Sequence, residues 1–314
     1  MPCPRRDMFS KMYLEITNVC NLACPFCPPT RRAPEFMSAE DFELYLGKLA
    51  PFGRQLYFHV KGESLLHPAL RDFLSLAWAR GFTVSITTNG TLLEEKAELL
   101  LGARSVRKLS VSLHSHSGRA DAGKYWLGVA AFLDKHRTTR PFPVSLRLWN
   151  RGTAGLPPET ERLWELLRAR YPAAQAWEKA SIGNLAQKLD EKVYLNQADK
   201  FTWPELGPRQ SKAVGDRAGG RRGFCHGFCR GLRNQIGVLV DGTVVPCCLD
   251  GEGSMSLGNL RESSLSDILA SPRARAIYEG FSRRTVVEEL CESCGYRQRF
   301  SRQAQRGRTE HKPL

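Results

Sequence analysis

The sequence predicts an α/β protein: a partial (β/α)6 TIM-type barrel followed by a small cysteine-rich domain. From Met12 to about residue 195, strand-like apolar runs alternate with amphipathic helical runs, and polar loops follow the strands. This alternation is typical of βα units around a parallel sheet, and five or six units are too few to close an eight-stranded barrel. The composition then changes after residue 224, where six of the ten cysteines lie.

The elements of the barrel are predicted from local periodicity. Ser38, with Asp41 three residues later, is a typical N-cap for the first helix. The strands are predicted at 13–17, 55–60, 83–87, 108–113, 144–149 and, less regularly, 192–195. The helices are predicted at 38–49, 70–80, 94–101, 125–135 and 158–170, the last with Leu163, Leu166 and Leu167 facing inward.

The C-terminal region is predicted to hold a hairpin and one helix. Asp241-Gly242 separates two β-prone runs at 235–240 and 243–245, a strong hairpin signal. An amphipathic helix is predicted at 264–280. The domains are then the barrel at 1–206, a basic glycine-rich linker at 207–224, the cysteine-rich domain at 225–300 and a flexible basic tail at 301–314.

Composition is that of a globular protein, with 42% hydrophobic and 25% charged residues among 314. No run is long and apolar enough for a membrane helix, and the first ten residues lack a signal-peptide core. We therefore expect a cytoplasmic protein without a membrane partner. Because ten cysteines without a secretion signal indicate metal ligands or thiols, a disulfide framework is not expected.

The net charge of +14 would suit a nucleic-acid partner. The basic residues, however, concentrate at 209–222 and 297–312 without clear aromatic interleaving. A solvated linker and tail explain this distribution better, so the sequence supports a nucleic-acid partner only weakly.

Three cysteines follow the first predicted strand at C-x3-C-x2-C spacing: Cys20, Cys24 and Cys27. Iron-sulfur cubanes are usually held by four thiolates, so three close cysteines predict a cluster with one iron open for chemistry. A structural zinc site or buried thiols are the alternatives, although zinc sites normally use paired C-x2-C units and a closed set of four ligands.

This spacing, with Phe26 before the third cysteine, resembles the radical SAM superfamily. The resemblance implies a 4Fe-4S cluster whose open iron binds S-adenosylmethionine (SAM) and cleaves it reductively to a 5'-deoxyadenosyl radical. That radical abstracts a substrate hydrogen. The resemblance also implies a low-potential electron donor, a flavodoxin or ferredoxin.

Further positions resemble the superfamily's SAM contacts. Gly62 and Glu63 resemble the Gly-Gly-Glu-Pro segment that binds the SAM ammonium, with Lys61 and Ser64 in place of its first glycine and its proline. A carboxylate and an ammonium form a strong charge-assisted hydrogen bond. The other candidates are Phe26, Asn89, Ser112 at the ribose position and Arg147 at the SAM carboxylate; Arg147 could instead face solvent.

The C-terminal cysteines resemble a SPASM or twitch auxiliary-cluster domain. The resemblance assigns one auxiliary 4Fe-4S cluster to Cys229, Cys247, Cys291 and Cys294, with Cys225 or Cys248 as substitutes for one of them. Phe300 occupies the place of a further cysteine, which argues against a second auxiliary cluster. Zinc could use the same four thiolates. Cys3 is predicted to be a free thiol.

The predicted function is therefore a radical SAM oxidoreductase or transferase that acts on a peptide or protein side chain. A small metabolite or an RNA base is the alternative substrate. A non-catalytic electron-transfer protein is an alternative from another class. His59, His67, His114 and His116 lie near strand ends and could transfer protons, but polar loop residues explain them as well, and no catalytic role is assigned to them.

Overall fold

The computed structural model describes residues 8–116, 122–139, 141–151, 165–171, 185–199, 201–206 and 226–300. Its strands form one ten-stranded sheet in the order β10-β9-β8-β1-β2-β3-β4-β5-β7-β6. The strands are β1 Lys11–Leu14, β2 Gln55–Phe58, β3 Thr83–Thr88, β4 Val106–Ser112, β5 Val144–Arg151, β6 Leu185–Asp190, β7 Val193–Asp199, β8 Gln235–Val238, β9 Thr243–Val245 and β10 Gly258–Asn259.

Six neighbouring strands, β1 to β5 and β7, pair in parallel. They are the six strands of the predicted partial (β/α)6 TIM-type barrel, which is confirmed together with the small C-terminal domain. The sixth, β7, extends the run predicted at 192–195 to residue 199. β6 was not predicted; it pairs antiparallel with β7 at the sheet edge.

The helices are α1 Ala39–Leu49, α2 Leu70–Ala79, α3 Ala97–Gly102, α4 Ala122–Thr139, α5 Leu265–Ala270, α6 Pro272–Ser282 and α7 Glu289–Glu292. Residues 165–170 are also helical, so the described part of the helix predicted at 158–170 is confirmed. There, Leu167 is buried and Leu166 half-buried, while Leu163 lies outside the described residues. The Ser38 hydroxyl accepts a hydrogen bond of 3.0 Å from the Asp41 amide, as predicted for the N-cap of α1.

The two faces of the parallel sheet differ in chemistry. Side chains such as Leu56, Ile86 and Leu146 are fully buried in the core that also contains the apolar faces of the helices. Because successive side chains of a strand point to opposite faces, the residues between them face the concave side. We call that side the lumen; Tyr13, Tyr57, His59, Lys108 and Arg147 line it.

The helix predicted at 264–280 is instead two helices. α5 ends at Ala270 and α6 begins at Pro272, and Ser271 between them is extended, with ψ of 150°. Proline has no N–H to continue the helical ladder and disfavours helical geometry in the residue before it. Ser271 therefore ends one helix and caps the next through a hydrogen bond from the Ala274 amide.

The predicted hairpin is present and joins the barrel. β8 and β9 pair antiparallel around Asp241-Gly242, and Gly242 has φ of +88°, the conformation that favours glycine. β8 also pairs in parallel with β1, which continues the sheet from the predicted barrel domain into the predicted cysteine-rich domain. The boundaries at 206 and 225 stay predictions, and the linker and the tail lie outside the described residues.

Among the described residues, none of the helices has the length and apolarity that crossing a membrane would require.

Candidate metal centres

The three N-terminal cysteines lie on the loop that leaves β1, at the C-terminal edge of the parallel sheet. The Cys27 amide donates a hydrogen bond to the Cys24 carbonyl at 3.0 Å, which folds the loop into a turn. The Asn89 side-chain amide lies 3.9 Å from the Cys20 sulfur. Burial raises the pKa of Cys20, and the nearby Cys27 thiol raises it further. Asn89 thus holds Cys20 beside the end of β3, and the charge effect indicates that the Cys27 thiol lies nearby.

Glu63 lies at the same edge and is buried. One of its carboxylate oxygens accepts from the Asn89 amide at 2.6 Å and the other from the Leu65 amide at 3.1 Å. Burial raises the pKa of Glu63, while these amides oppose the shift, and its charge raises the pKa of Cys20. The carboxylate is therefore held in a fixed orientation near the first cysteine and keeps further lone pairs for a cation.

Lys61 and Ser64 stand where the Gly-Gly-Glu-Pro segment has its first glycine and its proline, but the backbone between them still makes the turn that presents Glu63. Gly62 has φ of +73°, and a Cβ there would meet the Thr17 carbonyl and come within 2.9 Å of Val19. The Ser64 hydroxyl donates to the Phe58 carbonyl at 2.7 Å. The Lys61 ammonium donates to the Pro28 carbonyl in the cysteine loop. Both replacements thus have structural contacts of their own.

Asn89 and Gly90, in the turn after β3, lie beside the cysteine loop. The Asn89 side-chain amide also donates to the Asn21 side chain in the cysteine loop at 2.8 Å, and the backbone carbonyl of Asn89 accepts from the Tyr125 hydroxyl at 3.0 Å. A Cβ on Gly90 would lie 2.7 Å from that hydroxyl. The turn after β3 therefore links the cysteine loop to α4.

Ser112 and Arg147 are register partners on β4 and β5. Arg147 lies between the buried Leu146 and Leu148 of β5, so its half-buried side chain points to the opposite face of the sheet, the lumen. Its charge lowers the pKa of both His59 and Lys108. The structure brings Ser112 and Arg147 to the sheet edge that carries Glu63 and the cysteines, and their roles toward SAM stay predictions.

Phe26 packs into an aromatic cluster above the lumen. Its ring lies 5.0 Å from the ring of His114 and 5.3 Å from that of Trp149. His114 and Trp149 stack at 4.2 Å with an interplanar angle of 12°. Trp149 in turn contacts Phe201, which contacts Tyr296 in the C-terminal region. An aromatic wall therefore extends from the cysteine loop to the second group of cysteines.

The other three histidines named from the sequence, His59, His67 and His116, lie in different environments. His67 is buried and bonds the Met37 carbonyl at 3.1 Å, which is a structural contact. His59 lies in the lumen, and the side chain of His116 lies outside the described residues. None of these contacts gives a histidine a catalytic role.

The second group of thiols comprises Cys229, Cys247, Cys291 and Cys294. Burial raises the pKa of Cys247, and the adjacent Cys248 thiol and the neighbouring thiols of Cys229 and Cys291 raise it further. Burial likewise raises the pKa of Cys291, with Cys229 and Cys294 adding to the shift. These mutual effects place the four thiols near one another, and their role as ligands stays a prediction.

The Cys248 thiol points toward Tyr13 in the lumen. Its thiol interacts with the Tyr13 hydroxyl in the lumen, and burial raises its pKa to about 11. Cys248 thus faces the barrel and Cys247, next to it, faces the other thiols. Cys225 and Cys3 lie outside the described residues. Phe300, in place of a further cysteine, packs edge-on against Phe228 and Tyr296.

Both donor sets suit iron-sulfur clusters. Within the described part of the chain, no three His, Cys, Asp or Glu side chains converge closely enough to hold a single metal ion. The thiolates of a cubane bind different iron atoms and therefore stand farther apart than the ligands of one ion. A group of three thiols beside a carboxylate and a group of four thiols match a cluster with an open iron and a closed cluster, respectively.

Two important residues were not predicted. Glu15 is fully buried, and its carboxylate accepts from the Arg32 guanidinium at 2.7 Å, the Lys61 amide at 3.0 Å and the Val240 amide at 3.1 Å. The guanidinium of Arg297 donates to the Cys291 carbonyl at 2.9 Å, beside the second group of thiols. A single acid in an apolar strand was the only sequence signal for Glu15.

Two family models match the chain. Residues 14–142 match the radical SAM superfamily, and residues 229–295 match SPASM, an iron-sulfur cluster-binding domain. The first implies a 4Fe-4S cluster and SAM, and the second implies an auxiliary iron-sulfur cluster. The two matches include every predicted cluster ligand except the substitute Cys225.

Curated relatives match over parts of their length. The tungsten-containing aldehyde ferredoxin oxidoreductase cofactor-modifying protein of Pyrococcus furiosus is 37% identical over 90 residues, which are 27% of this chain and 25% of that protein. The GTP 3',8-cyclase of Microcystis aeruginosa is 29% identical over 143 residues, 38% of this chain and 43% of the relative. The chain thus spans less than half the length of each.

Solved structures share the fold over nearly the whole chain. BtrN in complex with AdoMet and 2-DOIA has a TM-score of 0.53 at 19% identity, covering 92% of this chain and 94% of that one. Streptococcus suis SuiB bound to the precursor peptide SuiA has a TM-score of 0.51 at 15% identity, covering 92% and 70%. At these identities the likeness concerns the fold alone.

Proposed function

Because the chain carries a radical SAM domain followed by a SPASM domain, we propose that it is a radical SAM enzyme that abstracts a hydrogen from a peptide or protein side chain. The observation that carries this proposal is the grouping of Cys20, Cys27 and the fixed carboxylate of Glu63 at the C-terminal edge of the partial barrel. When bound, the cluster supplies the electron that splits SAM into methionine and a 5'-deoxyadenosyl radical.

The protein's part is to bind and orient. Cys20, Cys24 and Cys27 would hold the cluster, and Glu63, already oriented by two backbone amides, would accept the SAM ammonium. Gly62, Asn89, Ser112, Arg147 and Phe26 would complete the cofactor site. Because the aromatic wall covers one side of this edge, it would help to exclude water from a reactive radical.

The auxiliary site would complete the electron path. Cys229, Cys247, Cys291 and Cys294 would hold one 4Fe-4S cluster that accepts an electron from the product radical or anchors the substrate. A flavodoxin or ferredoxin would reduce the first cluster. Since an open iron needs reducing conditions, we place the enzyme in the cytoplasm.

A small metabolite is the second candidate substrate. GTP 3',8-cyclases are named for a nucleotide substrate, whereas SuiB is described with a precursor peptide. The positive charges of Lys108 and Arg147 in the lumen favour a small anion, whereas the match to a SPASM domain is the reason for placing a peptide substrate first. An RNA base has only the basic composition in its favour; binding to tRNA that weakens steeply with salt would support it.

The test is reductive SAM cleavage by the anaerobically reconstituted protein. With dithionite and SAM, we expect 5'-deoxyadenosine. Glu63→Gln should raise the SAM concentration for half-maximal cleavage by about tenfold or more, since a charge-assisted hydrogen bond contributes about 1.5–3 kcal/mol. Glu98→Gln, on an exposed acid of α3, is the matched control. Full iron loading without any SAM cleavage would refute the proposed function.

A further inference from the structure

Lys61 replaces the first glycine of the Gly-Gly-Glu-Pro-like segment and extends a charged side chain to the cysteine loop. Its backbone amide donates to the buried Glu15 carboxylate at 3.0 Å, and its ammonium donates to the Pro28 carbonyl. Pro28 directly follows Cys27, and the Cys27 sulfur lies 3.9 Å from the same carbonyl oxygen. A single carbonyl group therefore lies between the Lys61 ammonium and the third thiol of the N-terminal group.

Two further segments confine the Lys61 side chain, which is half-buried. A Cβ on the buried Gly251 would lie 2.7 Å from the Lys61 Cε, so the methylene groups pack against the backbone that follows β9. The ammonium lies 5.7 Å from the centre of the Trp203 ring, a distance at which cation–π attraction is effective. Because lysine has a long flexible stem, these contacts fix the ammonium beside Pro28.

Trp203 belongs to a segment, 201–206, that is attached to the region of the second group of thiols. The Gly295 amide donates to the Thr202 carbonyl at 3.1 Å, and the Glu205 amide donates to the Ser293 hydroxyl at 3.2 Å. Ser293 and Gly295 lie on the turn that carries the last two cysteines of that group. Lys61 therefore connects the loop of the first thiol group with a segment bound to the second.

The Lys61 ammonium carries a positive charge that no carboxylate pairs with in the part of the chain that the structure describes. The Glu15 carboxylate, which accepts from the Lys61 backbone amide, is itself paired with the Arg32 guanidinium at 2.7 Å. Reduction adds one negative charge to an iron-sulfur cluster, and local charge is one of the factors that set its reduction potential. A cation beside a ligand thiolate stabilises the added electron by Coulomb attraction.

We propose that Lys61 is a positioning residue for the cluster of the N-terminal cysteine loop. It holds the chain after Cys27 against the C-terminal region, and its charge favours the one-electron reduction that must precede SAM cleavage. The electron comes from the flavodoxin or ferredoxin, and Lys61 is neither oxidised nor reduced. The inference rests on the proposed function, because it requires the cluster in this loop.

The first experiment is a redox titration of the anaerobically reconstituted holoenzyme without SAM, followed by electron paramagnetic resonance. The signal that Cys24→Ala lacks belongs to the first cluster. In Lys61→Met, which keeps the length and removes the charge, the ratio of reduced to oxidised first cluster at a fixed potential should fall about tenfold, or ~59 mV for one electron. Lys61→Arg keeps the charge and should stay within twofold of the parent.

Lys48→Met is the matched control. Lys48 is also a half-buried lysine whose ammonium donates to backbone carbonyls, those of Leu260 and Ser263, and it does not contact the cysteine loop. Its substitution should change the ratio less than twofold. A ratio in Lys61→Met within twofold of the parent, or equal falls in Lys61→Met and Lys48→Met, would overturn the effect of the charge. Lys61→Gln takes the place of Lys61→Met if that variant binds less iron than the parent.

Hydrogen exchange of the same holoenzymes measures the positioning. Lys61→Met should raise the exchange rate of the amides at 27–32 at least about threefold, because the loop loses a contact with the C-terminal region. Lys61→Arg and Lys48→Met should leave these amides within twofold of the parent. Unchanged exchange at 27–32 in Lys61→Met would overturn the positioning role.

These measurements separate the inference from the proposed function. A parent enzyme that cleaves SAM, with a first-cluster potential and a loop that do not depend on Lys61, refutes this inference alone. A parent that holds the cluster and shows both effects of Lys61 but never cleaves SAM refutes the proposed function and leaves the role of Lys61 standing.

Discussion

Glu15 connects three segments that are far apart in sequence. Its buried carboxylate accepts hydrogen bonds from Arg32 in the cysteine loop, Lys61 after β2 and Val240 after β8. A buried carboxylate is tolerated only when it is paired and hydrogen-bonded, and here the three donors meet that need. The position of the cysteine loop relative to both neighbouring segments therefore depends on one side chain.

Replacing Glu15 with glutamine should destabilise the protein strongly. The change leaves Arg32 without its carboxylate, and breaking a buried ion pair typically costs about 3–5 kcal/mol. We expect the apparent melting temperature of the anaerobic holoprotein to fall by more than about 5 °C. Glu43→Gln, which breaks the exposed pair with Arg80, should change it by about 1–2 °C at most. Equal effects of the two substitutions would contradict this role.

Gly62→Ala should damage the first cluster site. A Cβ at φ of +73° would press on the Thr17 carbonyl and on Val19, directly before Cys20. Because small displacements near a reacting centre have large effects, SAM cleavage should fall at least tenfold. Gly47→Ala in α1, where nothing lies within 4 Å of the added Cβ, should leave the cleavage rate unchanged. A fully active Gly62→Ala variant would be inconsistent with this geometry.

Functional residues could be predicted from the sequence where their spacing along the chain is typical of a known kind of site. The spacing of Cys20, Cys24 and Cys27 predicted the loop, and the pattern around Cys229 and Cys247 predicted facing thiols. Glu15 and Arg297 were missed because their partners come from distant segments. The inward side chain of Arg147 followed only from strand register.

Helices and strands could be predicted where their hydrophobic periodicity involves only neighbouring residues. The strands β2 to β5 and the helices α1 and α2 lie within two residues of their predicted positions, because alternation and capping depend on neighbouring residues. β1 ends three residues earlier than predicted, and β7 ends four residues later. α4 is longer than predicted at both ends. The break between α5 and α6 was missed because the amphipathic pattern continues through Pro272, although proline interrupts a helix. The pairing of β8 with β1 joins distant segments and therefore has no local signal in the sequence.

Ser271→Ala should test the break between α5 and α6. The hydroxyl accepts from the Ala274 amide and caps α6, and loss of an N-cap costs about 1 kcal/mol. The apparent melting temperature should fall by roughly 2–4 °C. Ser75→Ala, at a serine of α2 that bonds back to Arg71 within the helix, should have a smaller effect or none. A neutral Ser271→Ala would show that α6 does not depend on this cap.

In the part of the chain that the structure describes, one sheet and one apolar core connect the N-terminal and C-terminal regions. β8 extends the parallel sheet at β1, and buried residues of α1, α5 and α6 belong to the same core. Arg261 in the C-terminal region also forms a bidentate ion pair with Asp41 of α1. The two predicted domains are therefore continuous in structure, which a division by sequence composition could not reveal.

We propose that the chain holds two separate iron-sulfur sites and that SAM is cleaved only at the N-terminal one. Iron content and 5'-deoxyadenosine formation of reconstituted Cys24→Ala test it together. The parent should hold about eight irons per chain in two cubanes. Cys24→Ala should keep about four irons and form no 5'-deoxyadenosine. Loss of all iron, or continued SAM cleavage, would contradict the account.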